Sequence, residues 1–126
     1  MIDFASLKKL AEASAAVTTA CNCRDAALLV WQQLPMTLEL DQFKEAGSLV
    51  EDPYDEPTFA EYHPAGTRYE SEDTPIAPRY HPYNRCEVVR CVKCGRHYLR
   101  YNEAGCYFTE LRMRALRPQL LVDATL

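Results

Sequence analysis

Six of the eight prolines fall between Pro53 and Pro82, and no other feature limits the available folds so strictly. Proline locks φ and removes an N–H donor, so this stretch can form neither a long helix nor an inner strand. The residues before each proline (Asp52, Glu56, His63, Thr74, Ala77 and His81) are pushed toward extended or polyproline conformations. Tyr54, Tyr62, Tyr69, Tyr80 and Tyr83 are interleaved with the prolines, whereas disordered segments are poor in aromatics. Residues 51–84 therefore read as an ordered, extended wrap laid across the rest of the chain.

The flanks differ in character. Residues 1–50 read as helical. Phe4, Leu7, Leu10, Ala11, Ser14 and Val17 recur at helical spacing behind Asp3, a suitable N-cap. Asn22 and Asp25 resemble a capping box opening a second helix that runs through Ala26, Leu29, Val30 and Gln33 until Pro35 stops it. Leu38 to Leu49 reads as a third, ending near Gly47. Residues 85–126 read as β, with strands at Cys86–Cys91 and His97–Tyr101, a turn at Asn102–Gly105, a strand at Cys106–Thr109, and strand or short helix from Leu111 to Leu116. The expected fold is one α+β domain over 1–126: N-terminal helices on a small antiparallel, zinc-ribbon-like β module, bound by the wrap.

A chain of 126 residues, 48% apolar and 25% charged, has an ordinary globular balance and the size of one domain. No stretch approaches the roughly 20 apolar residues of a membrane span, and the early Asp3 with the late Lys8 and Lys9 argues against a signal peptide. The expectation is a cytoplasmic protein without membrane contact, in which six cysteines are metal ligands or small buried hydrophobes before they are disulfides.

Among them, Cys91-Val92-Lys93-Cys94-Gly95 carries the clearest chemistry. A two-residue spacing lets a tight turn aim both sulfurs at one ion about 2.3 Å away, and Gly95 permits the positive φ of such a turn. Arg90, Lys93 and Arg96 favour the thiolate forms. A redox Cys-x-x-Cys opens a helix in a βαβ unit, but β-type sequence surrounds this one; inert thiols are the remaining alternative. The pair needs two more ligands to hold a structural zinc ion. Cys86 and His97 are the favoured companions by sequence proximity. His63 and the Cys21/Cys23 pair are further candidates, although Cys21/Cys23 reads better as a helix entry. Cys106 lies past the far turn of the 97–109 hairpin, too distant along an extended strand.

The net charge of −4 conceals a segregation. Residues 51–73 carry eight acids (Glu51, Asp52, Asp55, Glu56, Glu61, Glu70, Glu72 and Asp73) against Arg68, whereas residues 76–117 carry nine bases against three acids. A stripe of Arg85, Arg90, Lys93, Arg96 and Arg100 with Tyr98, Tyr101, Tyr107 and Phe108 has the makings of a single-stranded nucleic-acid surface. Internal neutralisation by the acidic segment is the simpler account and disfavours nucleic acid. The Tyr- and carboxylate-rich segment suits a basic protein partner; a solvated loop is the plainer reading. Catalysis has no support. There is no Gly-x-Ser-x-Gly, no glycine-rich phosphate loop and no His-Glu-x-x-His, and two of the three histidines precede proline.

The segments Glu61-Tyr62-His63-Pro64-Ala65-Gly66-Thr67-Arg68-Tyr69, Ala77-Pro78-Arg79-Tyr80, Tyr83-Asn84-Arg85-Cys86 and Cys91-x-x-Cys94-Gly95-Arg96-x-Tyr98-Leu99-Arg100-Tyr101 resemble a group of small, mostly uncharacterised proteobacterial proteins. Gly105-x-Tyr107-Phe108 and Arg112-x-Arg114-Ala115-Leu116 extend the likeness, which covers about residues 61–124. That group tends to have Cys where this chain has His97, and Gly where it has Cys106. Small proteins of this sort are encoded beside polymorphic toxins, and the resemblance implies an immunity protein of a contact-dependent growth inhibition system. Such a protein is cytoplasmic and non-catalytic, and occludes a cognate toxin domain, often a nuclease. A zinc-ribbon nucleic-acid module acting through Arg85–Arg100 is the alternative, and a metal-stabilised scaffold subunit the third reading.

Overall fold

The computed structural model describes residues 1–104 and 109–126. It is an α+β structure built on one antiparallel sheet and one main helix. Helix α1 (Phe4–Ala15) is capped by Asp3, whose carboxylate accepts from Ser6 N at 2.7 Å, as the sequence predicts. A single turn, α2 (Asn22–Asp25), follows. The strands are β1 (Gln32–Gln33), β2 (Phe43–Ser48), β3 (Glu87–Cys91), β4 (His97–Ala104) and β5 (Thr109–Ala115). They lie in the order β1-β5-β4-β3-β2, every pairing antiparallel. The predicted turn at Asn102–Gly105 is instead the continuation of β4 as far as Ala104. The predicted strand at Cys106–Thr109 lies mostly outside the described residues.

Both faces of the sheet are covered. Successive side chains on a strand point to opposite faces, and the buried residues sort accordingly. Val88, Leu99, Tyr101 and Cys86 face one core with Leu7 and Ala11 of α1, Trp31, Leu49, Ile76 and Tyr83. Val89, Tyr98, Cys91 and Met113 face a second core with Cys23, Leu28, Leu38 and Phe43. Two-sided burial explains the unbroken apolar pairs Val88-Val89 and Tyr98-Leu99.

The same division overturns two of the three expected helices. Leu28 belongs to the second core and Trp31 to the first, and one helical face cannot serve both. The chain leaves α2 through Ala27 and Leu28, both at positive φ (65° and 35°). It then crosses the sheet edge as β1, paired with Met113 and Arg112. Likewise Leu38 and Phe43 are buried on one side and Leu49 on the other. Residues 43–48 accordingly form an edge strand on β3, with a bulge between Glu45 and Gly47. The helix propensity of Lys44-Glu45-Ala46 is a weak preference that tertiary pairing overrides. Gly47 lets the Ile2 side chain pack against the strand, because a Cβ there would displace it.

The proline-rich segment is irregular and is fastened at intervals. Tyr69 stacks on Trp31 and hydrogen-bonds the Tyr101 hydroxyl. Ile76 bridges Leu121. Arg114, fully buried on β5, donates to the carbonyls of Leu29 (3.2 Å), Glu72 (2.9 Å) and Thr74 (3.0 Å) and to the Tyr83 hydroxyl. Backbone acceptors, not a carboxylate, solvate this buried cation, and they tie residues 29, 72, 74 and 83 to the sheet.

Candidate metal centre

Four cysteines meet on the second face. Cys91 ends β3, and the chain turns so that Gly95 N donates to Cys91 O and Cys91 N to Arg96 O, both at 2.8 Å. Gly95 sits at φ 89°, the conformation the sequence assigns to it. Cys21 is the residue preceding α2, and its carbonyl accepts from Arg24 N at 3.1 Å. Cys23, within that turn, is fully buried. The Sγ atoms of Cys21 and Cys91 are 3.7 Å apart and those of Cys23 and Cys94 are 3.4 Å apart. All four sulfurs lie within 4.8 Å of one another. Tetrahedral metal–sulfur bonds of about 2.3 Å place sulfurs about 3.8 Å apart, whereas a disulfide needs about 2.05 Å. The arrangement can hold one metal ion.

The surroundings fit a charged thiolate cluster. The Gln42 side-chain amide donates to Cys91 Sγ at 3.3 Å and to Asn22 Oδ1 at 2.8 Å, and Gln42 O accepts from Val92 N at 2.9 Å. One residue thus clamps both cysteine-bearing turns. The Arg96 guanidinium lies against Cys94 and Cys23, and its Nη1 is buried without a hydrogen-bond partner. Tyr98 reaches Cys23. Burial raises the Cys91 thiol, but hydrogen bonds from Gln42 and from the backbone of Cys94 and Lys93 outweigh it and bring the value down to about 6. Burial pushes Cys23 and Cys94 upward, a penalty that a bound dication reverses.

Of the ligands expected from sequence, Cys91 and Cys94 are in the cluster, while Cys86 and His97 are not. Cys86 is five residues from Cys91, and an odd offset along a strand reverses the face. Its Sγ donates to Pro82 O at 3.2 Å in the first core. His97 precedes Tyr98, which faces the sulfurs, so its side chain points the other way, and its backbone N–H donates to Ser14 Oγ of α1 at 2.9 Å. His63 hydrogen-bonds Glu61 and Thr67 within the wrap, each at 2.8 Å. Cys106 lies outside the described residues. The missing ligands are Cys21 and Cys23, where the helix-entry reading displaced a Cys-x-Cys spacing that was itself the signal.

Among the described residues, no ion pair joins the acidic segment to the basic one. All eight acids of residues 51–73 are exposed. Among the described residues, the one such contact they make is Glu61–His63 at 2.8 Å, a hydrogen bond that is an ion pair only when the imidazole is protonated. The bases are mostly engaged elsewhere. Arg85 covers the Phe59 ring at 4.2 Å and donates to Pro57 O and Thr58 O. Arg100 pairs with Glu87 and Arg112 with Glu110. Beside the acidic segment opens a cleft of about 670 Å³, lined by Asp3, Glu51, Asp52, Asp55 and Asp123 against the single base Arg79, with apolar residues that include Leu49 and Pro57. No helix of the described residues is long and apolar enough to cross a membrane.

Comparison with protein-family models, with curated proteins and with solved structures finds no match to this chain.

Proposed function

We propose that this chain is a non-catalytic neutralising protein, stapled by a zinc ion, that binds a basic protein partner. The favoured partner is a cognate toxin domain of nuclease type. The observation that carries this reading is the unspent acidic surface. Eight carboxylates stand exposed with the Glu61–His63 hydrogen bond among them, while most of the arginines that balance them in sequence are fixed to carbonyls, aromatic rings or sheet glutamates. A surface of one sign held on a rigid, Tyr-anchored segment accelerates encounter with an oppositely charged partner and selects against acidic ones. The adjoining cleft offers room for an anchoring basic side chain of the partner. The engagement of Arg85, Arg96 and Arg100 leaves fewer cations free for phosphate and argues against the nucleic-acid alternative.

Zinc is the favoured metal, because a buried four-thiolate tetrahedron suits zinc or an iron–sulfur centre and provides no open coordination position for catalysis. Zinc at the centre would hold Cys21 and Cys23 to the knuckle as a structural link.

The test is co-expression with the toxin domain encoded beside the gene. Replacing Glu51, Asp52, Asp55 and Glu56 together by lysine is expected to abolish both protection and complex formation while leaving zinc content at one per chain. Protection equal to that of the parent protein would sink the reading.

A further inference from the structure

The four sulfurs of the centre divide into two pairs. Cys21 Sγ lies 3.7 Å from Cys91 Sγ, and Cys23 Sγ lies 3.4 Å from Cys94 Sγ. Each contact joins the α2 turn to the knuckle, across 70 residues in one case and 71 in the other. Each also sets a part-exposed cysteine, Cys21 or Cys94, against a buried one, Cys91 or Cys23. The neighbouring donors respect the same division. The Gln42 side-chain amide lies 3.8 Å from Cys21 Sγ and 3.3 Å from Cys91 Sγ, whereas the Arg96 guanidinium lies against Cys94 and Cys23.

An accessible thiolate beside a buried second one is the arrangement of two-electron thiol oxidation, in which the first is attacked and its neighbour resolves the product. Four cysteines admit three disulfide connectivities. The two contacts select the one in which both bridges run between the segments, and each pair must close by only about 1.5 Å to reach the bonded distance.

We propose that these cysteines are a site of reversible oxidation by hydrogen peroxide, which forms Cys21–Cys91 and Cys23–Cys94 disulfides and discharges the metal. The metal half of this proposal rests on the zinc centre of the reading above; the pairing does not. In each pair the part-exposed thiolate attacks one peroxide oxygen. The O–O bond breaks, a sulfenic acid forms, and the departing hydroxide takes a proton to become water. The buried thiolate then attacks the sulfenic sulfur. The S–S bond forms, the S–O bond breaks, and a second hydroxide leaves as water. Per chain, two peroxide molecules take four electrons from four sulfurs with uptake of four protons, and no thiolate is left to hold a dication. Dithiol exchange reverses the change. Both bridges span the segments that the ion would join, so oxidation keeps residues 21–43 fastened to the sheet without metal.

The test uses full-length, zinc-loaded Cys106→Ser protein, which keeps the sixth cysteine out of the chemistry, and a small excess of hydrogen peroxide at neutral pH. Zinc is read with a chromogenic chelator, and the cysteines by alkylation and peptide mass mapping. The expected result is loss of the zinc and two disulfides per chain, Cys21–Cys91 and Cys23–Cys94, with Cys86 still alkylated after unfolding. Dithiothreitol with added zinc should restore the starting species. Cys94→Ser should still give the Cys21–Cys91 bridge and Cys21→Ser the Cys23–Cys94 bridge, which keeps the pairing measurable where zinc binding is lost. The same two bridges in a chain that carries no metal would uphold the pairing and remove zinc from the reading above. Zinc retained with all four thiols alkylated after unfolding, or bridges in either of the other two connectivities, overturns the proposal and leaves the zinc assignment standing.

Discussion

The centre depends on four sulfurs that differ in environment. Replacing Cys23 by serine removes a fully buried thiol of the proposed centre, and the remaining three thiols should no longer give the absorption of a tetrahedral four-thiolate cobalt complex when Co²⁺ is substituted. Cys86→Ser is the matched control on the opposite face. It should keep that spectrum, and it should cost about 1–2 kcal/mol in urea denaturation, because a hydroxyl replaces a buried thiol that bonds Pro82 O. A cobalt spectrum lost with Cys86→Ser and kept with Cys23→Ser would reverse the ligand assignment. Arg114→Met keeps most of the volume but leaves the Thr74 carbonyl and the Tyr83 hydroxyl without their Arg114 donor, and the Leu29 and Glu72 carbonyls with Arg117 alone. The expected loss is about 2–4 kcal/mol, read as a lower denaturation midpoint at unchanged slope. Part of this was legible from sequence. Cys91, Cys94 and Gly95 follow from spacing alone, and the odd offset between Cys86 and Cys91 was already enough to exclude Cys86 as a companion. Arg114 was not legible: one arginine among nine bases carries no mark of burial, since its acceptors come from three separate segments.

Among the elements, the link between the two cysteine-bearing turns is decisive, and Gln42 makes it. Its side chain reaches Cys91 and Asn22, and its carbonyl holds Val92 N. Residues that orient metal ligands typically contribute 10–100-fold in affinity. Gln42→Ala should therefore retain the four-thiolate cobalt spectrum and weaken zinc binding at least about tenfold in a chelator competition. An unchanged affinity would show that the metal alone organises the site. The β3–β4 hairpin was legible because β-branched and aromatic side chains flank a glycine-bearing turn. The turn read at Asn102–Gly105, by contrast, is strand as far as Ala104, and β5 runs where Leu111–Leu116 reads as strand or short helix. The stretch from Ala26 to Leu49 was not. Its apolar residues serve two cores on opposite sides of the sheet, so their spacing records a path over a sheet edge, and that path imitates helical periodicity. Gly47, read as a helix stop, is instead the gap through which Ile2 passes over β2.

For the whole molecule, covering both sheet faces couples stability to metal and to pH. Residues 21–43 supply much of the second core, and a metal ion at the four cysteines would tie them to the knuckle. Ion binding that is confined to the folded state stabilises it by mass action, by about 4 kcal/mol at a thousandfold excess over Kd. Chelation should thus lower the melting temperature by more than about 10 °C, and hydrogen exchange should rise first in residues 21–43. Histidine adds a pH dependence that persists in the metal-free protein. Burial lowers His97, assisted by Arg90, and lowers His81, assisted by Arg85 against the opposing pull of Glu103 and Glu61. A base with a depressed folded value contributes stability above its unfolded value of about 6.5, and that stability is lost as pH falls, because the unfolded chain then takes up more protons. Protons also compete with metal for thiolates, so both effects weaken the fold in acid. With chelator present, the unfolding free energy should fall between about pH 6.5 and 5, and His97→Gln should shallow that fall. A metal-free profile level across this range would mean that neither buried imidazole is held neutral by the fold.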